Sequence, residues 1–285
     1  MNKVYQIVTD KVLAKMAEGE IPWRKPWVGG RDDAGLPRNF RSKKAYQGIN
    51  QLLLSMAPYS CPFWVTYKQA QEAGGQVRQG EKSTLVVFWK PTSYREADDN
   101  GDVIERKSLI MRYYNVFNLE QVDGIDWQHL VPQLDPRDAS DILDRYSDAP
   151  RVIHSESDRA FYRVSDDLVS MPMPQQFPVK DRYYQVLYHE LVHSTGHAER
   201  LNRAELNKTD SFGGSAYARE ELTAEIGSCF LCAETGIEPD IENSAAYLQS
   251  WMKRLEEDPE LIIKACSRAG KAVRWILGDE EEVGE

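Results

Sequence analysis

The segment YYQVLYHELVHSTGHAERL, residues 183–201, carries three of the chain's five histidines within nine positions. Val186, Leu187, Leu191 and Val192 recur at helical spacing, and Pro178 and Gly196 bracket the run. The pattern predicts a helix from just after Pro178 to Gly196, with the apolar stripe of a helix buried in a catalytic domain. On it His189 and His193 stand four residues apart, one turn above the other, at a separation suited to one small cation. Glu190 completes an HExxH pattern. In zinc hydrolysis the glutamate of this pattern is the general base that takes a proton from the attacking water. A five-letter pattern with three fixed letters also arises by chance, so the reading needs a third ligand.

Two histidines leave a catalytic zinc site one protein ligand short. A second strong helical pattern, YAREELTAEIGSCFLCAETG at residues 217–236, contains Glu220, Glu221 and Glu225. Glu221 and Glu225 share a face with the small Ala224 and Ser228, where another helix can approach. Carboxylates on an inward face need a cationic or hydrogen-bonding partner. We therefore assign Glu221 as the third metal ligand and Glu225 as the acceptor that orients a histidine, with the swapped assignment as the alternative. Two nearer candidates compete. In the spacing HExxHxxGxxH, Gly196 falls on the glycine but the last ligand position holds Glu199. His197 reads as a helix-end residue or substrate contact. Tyr217 reads as a buried structural tyrosine, with an oxyanion donor as the functional alternative. Cys229 and Cys232 form a lone CxxC with no second pair and no preceding strand, and read as small core residues.

The N-terminal part has a different character. Residues 1–95 carry 15 Lys and Arg against 7 Asp and Glu, and the rest carry 20 against 38. A net charge of −10 thus conceals a basic end suited to a polyanion. Trp23, Trp27, Trp64 and Trp89 lie among cations there. Such interleaving suits single-stranded nucleic acid, whose phosphates follow cations and whose unpaired bases stack on exposed rings. Trp64 and Trp89 are expected in the core. Trp23 and Trp27 flank Arg24 and Lys25 in a proline-stiffened loop and are expected to be exposed stacking platforms, with Arg41, Lys43, Lys44 and Lys68 as further contacts.

The first segment reads as an amphipathic helix, with Val4, Ile7, Val8, Val12, Leu13 and Met16 at helical spacing until Gly19 stops it; residues 43–57 read as a turn entering a helix, and 63–75 as a helix ending at Gly74-Gly75. TLVVFWK and SLIMRYYNVFNL read as the strands of a hairpin. An acidic, proline-punctuated stretch follows, and we place a boundary there: domains 1–130 and 131–285, the second with two short strands and then helices. The fold class is α+β: a mixed helix and β-hairpin domain, then a mainly helical one. No run reaches the length of a membrane span and no signal-peptide core opens the chain, so a cytoplasmic protein without membrane partners is expected. Four scattered cysteines read as reduced thiols.

GEIPWRKPW, KKAYQGINQLLL, VTYKQAQEAGGQVRQGEKST, YHELVHSTGHAERL and YAREELTAEIGSCFL resemble, in this order and over essentially the whole chain, the ArdC-type antirestriction proteins of conjugative plasmids. The first part is similar to the single-stranded-DNA-binding domain that this family shares with plasmid-transfer primases of the TraC type. The second is similar to the family's zincin-type metallopeptidase domain. The resemblance implies a protein that helps incoming single-stranded plasmid DNA escape restriction, but it names no proteolytic substrate; an active peptidase delivered to DNA would cleave a protein found there, with a host restriction component as one candidate. It carries over His189, Glu190 and His193 and a downstream glutamate. Lethal-factor-like zincins, with a similar ExxxE helix, favour Glu221. Zn2+ is the implied metal, with another divalent ion as the alternative. The rival readings are a single-strand-shielding protein whose zincin domain is only a scaffold, and a nuclease; the second is disfavoured because phosphodiester chemistry recruits carboxylate-bound or paired metals.

Overall fold

A computed structural model of the chain describes residues 3–23, 36–97, 103–130, 137–206, 215–240 and 244–279. Helix α1 (Lys3–Ala17) buries Val4, Val8, Val12 and Met16, a stripe repeating every four residues. Strands β1 (Arg38–Asn39) and β2 (Phe63–Val65) flank α2 (Ile49–Ser55), and α3 (Tyr67–Glu72) follows. Residues 63–65, expected to be helical, are strand: all three side chains are buried. The helix starts only after Thr66, whose side chain and that of Gln69 form a reciprocal capping box.

After β3 (Gln76–Val77) come the long strands β4 (Thr84–Ala97) and β5 (Val103–Asn118), then β6 (Val122–Asp123). β4 and β5 pair as the expected antiparallel hairpin, from Thr84 opposite Val116 to Ala97 opposite Val103. The turn residues 98–102 lie outside the described part. The main sheet runs β1-β2-β5-β4, and β3 pairs with β6 in a small second sheet.

The second half begins with the short α4 (Asp141–Arg145), followed by β7 (Arg151–Ser155), β8 (Phe161–Arg163) and β9 (Leu168–Pro172). The single strand expected over AFYRVSDDLVSMP is two strands, because Asp167 takes the left-handed conformation at φ 44° and reverses the chain. β9 is central, parallel to β7 and antiparallel to β8. Four helices complete the fold: α5 (Lys180–Ser194), α6 (Ser215–Thr235), α7 (Ala245–Glu257) and α8 (Leu261–Leu277).

One apolar core joins the two halves. Val8 and Val12 of α1, Trp23, Leu52 of α2 and Met111 of β5 belong to the same buried cluster as Leu191 of α5, Ile226 of α6 and Ile262 of α8. Two smaller clusters, around Phe63 with Leu119 and around Trp64 with Val86, fill the N-terminal sheets. All four cysteines are free and buried, so the CxxC is core packing. No described helix is long and apolar enough to cross a membrane.

Candidate metal centre

Helices α5 and α6 pack across Gly227. A Cβ there would lie 2.8 Å from Val192 Cγ2, so only glycine permits this approach without displacing α5. The close packing brings side chains from both helices to one point. His189 Nε2 and His193 Nε2 are 3.1 Å apart. Glu221 places Oε2 3.6 Å from the first and Oε1 3.4 Å from the second. Ligand atoms of all three residues lie within 4.8 Å of one another, and no other such group of His, Cys, Asp or Glu occurs among the described residues. Two imidazole nitrogens and one carboxylate oxygen on a common point fit a single divalent ion.

The residues behind the triad hold it in register. His193 Nδ1 is 3.1 Å from Glu220 Oε1, which leaves Nε2 as the nitrogen that faces Glu221. Glu220 in turn receives two hydrogen bonds from Arg203, Nε to Oε2 at 2.9 Å and Nη2 to Oε1 at 2.7 Å. Arg203 also donates to Thr195 Oγ1 at 2.6 Å and to the Val192 carbonyl at 2.7 Å. A Cβ on Gly196 would sit 3.0 Å from Arg203 Nη2, so the glycine that stops α5 also makes room for the guanidinium. Burial raises the Glu220 carboxyl, but its hydrogen bonds to His193 and Arg203 outweigh this and bring it down to about 2. Burial also opposes a charge on His193, yet the Glu220 and Glu221 carboxylates outweigh it and push the imidazole up to about 10. Glu221 is held below the usual carboxylate range: burial is overcome by its hydrogen bonds to the two histidines.

Glu190, 8% exposed, lines the cavity of about 420 Å³ onto which His189, His193, Glu221 and Tyr217 open. Tyr217 is hydrogen-bonded to Glu221, and burial together with that carboxylate's charge pushes its hydroxyl up to about 12. It therefore stays protonated at neutral pH and can donate.

Glu199 is exposed and His197 half-buried on the segment after α5, and neither joins the triad. Glu225 does not orient a histidine, and this corrects the expectation. Its Oε1 accepts from Trp23 Nε1 at 2.8 Å and its Oε2 from the Tyr247 hydroxyl, so both oxygens are engaged by N-terminal and α7 partners. The orienting role falls to Glu220. The sequence carries no signal for Arg203: nothing in the spacing of a residue ten positions past His193 marks it.

Trp23 is a second correction. It is fully buried and meets Trp251 edge to face at 6.3 Å between centroids, so it has no free face for a base. Its expected neighbours Arg24, Lys25 and Trp27 lie outside the described residues. Trp64 is buried as expected, but Trp89, expected in the core, is 47% exposed on β4. The cations Arg41, Lys43, Lys44 and Lys68 are all exposed. Arg41 and Lys68 pair with Glu72 at 3.1 Å and 3.6 Å, and Lys43 lies 4.1 Å from the Phe40 ring centroid. Arg41 and Lys44 line an open hollow of about 610 Å³ beside β1.

Fold and site together define a protein with a zincin-like metallopeptidase domain. Residues 143–268 match the family of that description, and residues 2–117 match the N-terminal domain of the anti-restriction factor ArdC. The chain resembles the crystal structures of the antirestriction ArdC protein from plasmid R388. With the metal-free form it shares 36% identity at a TM-score of 0.76, over 96% of this chain and 97% of that one. With the Mn(II)-bound form it shares 35% at a TM-score of 0.76, over 98% and 99%. An uncharacterized protein of Sinorhizobium fredii, y4eC, is 34% identical over 98% of this chain and 93% of its own length. Two forms of the Escherichia coli DNA primase TraC are each 37% identical over 98% of this chain, which spans only 20% and 27% of their lengths. The chain belongs to the ArdC family of antirestriction proteins.

Proposed function

We propose that this chain binds single-stranded DNA through its N-terminal half and hydrolyses a peptide bond at the His189, His193, Glu221 centre, acting in the cytoplasm to protect incoming DNA from restriction. The observation that carries the reading is the convergence of both imidazole Nε2 atoms and the Glu221 carboxylate on one point beside Glu190. A zinc ion there, or another divalent ion such as the Mn(II) of the R388 relative, supplies Lewis-acid polarisation of a carbonyl and acidification of water. Glu190 is the base that accepts the water's proton and returns it to the leaving amine. Tyr217 donates its hydroxyl to the oxygen on which negative charge develops. Glu220 and Arg203 keep the His193 ring from rotating.

The test is metal content and transfer efficiency into a restricting recipient, for wild type, His189→Ala and Glu190→Gln. His189→Ala is expected to lose the metal. Glu190→Gln is expected to keep it and to lose protection. Protection undiminished in Glu190→Gln would overturn the peptidase half and leave a strand-shielding protein on a zincin scaffold.

A further inference from the structure

The hollow beside β1 has a construction that simple strand tracking does not need. Its floor carries two side-chain amides whose orientation is forced by backbone donors. Asn39 Oδ1 accepts from the N–H groups of Arg41 and Ser42, both at 3.0 Å. Gln69 Oε1 accepts from Thr66 N–H at 2.9 Å. The oxygens being committed, the NH2 groups are the ends left over. Asn39 Nδ2 reaches only the Tyr46 hydroxyl at 3.4 Å and Gln69 Oε1 at 3.5 Å, distances at which a hydrogen bond is weak. Gln69 Nε2 makes no hydrogen bond among the described residues. Tyr114, half-buried, adds aromatic surface, and Arg41 and Lys44 stand at the rim. The single aliphatic lining residue, Ala45, leaves space that any larger side chain would take up.

The geometry points to a base-reading pocket: one nucleobase of a bound single strand inserts here, its carbonyl edge hydrogen-bonded by the Asn39 and Gln69 amides and its phosphate held by Arg41 and Lys44. This rests on the single-strand half of the function proposed above and deepens it. Amide donors facing inward match a base that presents an acceptor. Thymine offers a carbonyl oxygen to each of the two donors, whereas each adenine edge pairs one ring-nitrogen acceptor with an amino group that would face the second donor, the amide oxygens that could accept from it being engaged by backbone N–H groups. The pocket therefore confers a preference for thymine over adenine at one position of the bound strand.

Fluorescence anisotropy of the full-length chain with labelled dT12 and dA12 over a salt series tests this. The wild type is expected to bind dT12 more tightly by about fivefold or more, the discrimination of one hydrogen-bonded base edge. Gln69→Glu keeps the oxygen that caps Thr66 but removes the donor, and is expected to abolish most of that ratio; any uniform loss from its charge cancels in the ratio. Ala45→Phe, which fills the hollow, is expected to do the same. Arg41→Gln and Lys44→Gln are expected to weaken both strands equally, each lowering the slope of log affinity against log salt by about 0.7. Equal wild-type affinities, or a ratio unchanged in both Gln69→Glu and Ala45→Phe, would overturn the pocket while leaving single-strand binding intact. Displacement of dT12 by equimolar thymidine monophosphate would overturn it in favour of a free-nucleotide site. Failure to bind either strand would remove the single-strand reading itself.

Discussion

At the scale of single residues, Arg203 and Glu220 decide whether the candidate metal triad keeps its shape. Their charges are almost fully buried and answer one another, so removing one strands the other. Arg203→Met is expected to destabilise the fold by about 3–5 kcal/mol and to weaken metal binding by about 10- to 100-fold, read by thermal unfolding and metal titration. The same network sets a pH dependence. His193 is held protonated, up to about 10 in the metal-free protein, above its unfolded value of about 6.5. Its contribution to metal-free stability is thus fully present below the unfolded value and is lost as pH rises through the folded one. A metal must displace that proton, so affinity is expected to rise with pH between these limits and each metal bound to release a proton. Calorimetry in buffers of different ionisation enthalpy measures the proton count. A metal affinity flat with pH would contradict the arrangement.

At the scale of elements, the site exists because α5 and α6 approach through Gly227. Gly227→Ala is expected to cost about 1–3 kcal/mol in overpacking and to lower metal affinity, as Glu221 recedes from the histidines; unfolding and metal titration of one sample check both. The strands carry a different lesson. β4 and β5 were recognisable from β-branched and aromatic runs, but periodicity could not say which aromatic the body covers. The hairpin reaches beyond the elements packed on it, which leaves Trp89, Phe88 and Tyr113 exposed while Met111, directly opposite Trp89, is buried.

At the scale of the molecule, the shared core makes the two halves interdependent. Helix α1 and Trp23, from the basic end of the chain, are buried in the same cluster as α5, α6 and α8. The full chain is expected to unfold in one cooperative transition by calorimetry, with no separate step for the N-terminal half. Trp23→Ala is expected to lower stability by about 3–5 kcal/mol rather than to remove a strand contact selectively. Two resolved transitions, or an unchanged melting temperature in that variant, would count against a common core.

Local pattern sufficed for the histidine helix, for the facing ExxxE helix, for the hairpin and for the paired His189 and His193, because helical periodicity is a property of adjacent turns. It narrowed the third ligand to the inward carboxylates of that helix and put Glu221 ahead of Glu225 without excluding the swap, because the two share one face. What the chain could not announce was which long-range partner each polar group meets. Glu220 and Glu221 are adjacent in sequence, yet one lies against Arg203 and the other against two imidazoles. Glu225 is one turn on and belongs to Trp23 and Tyr247. Trp23 sits beside cations in sequence and inside the core in space. These assignments depend on how α1, α6 and α7 pack together, which sequence spacing within a single element does not encode.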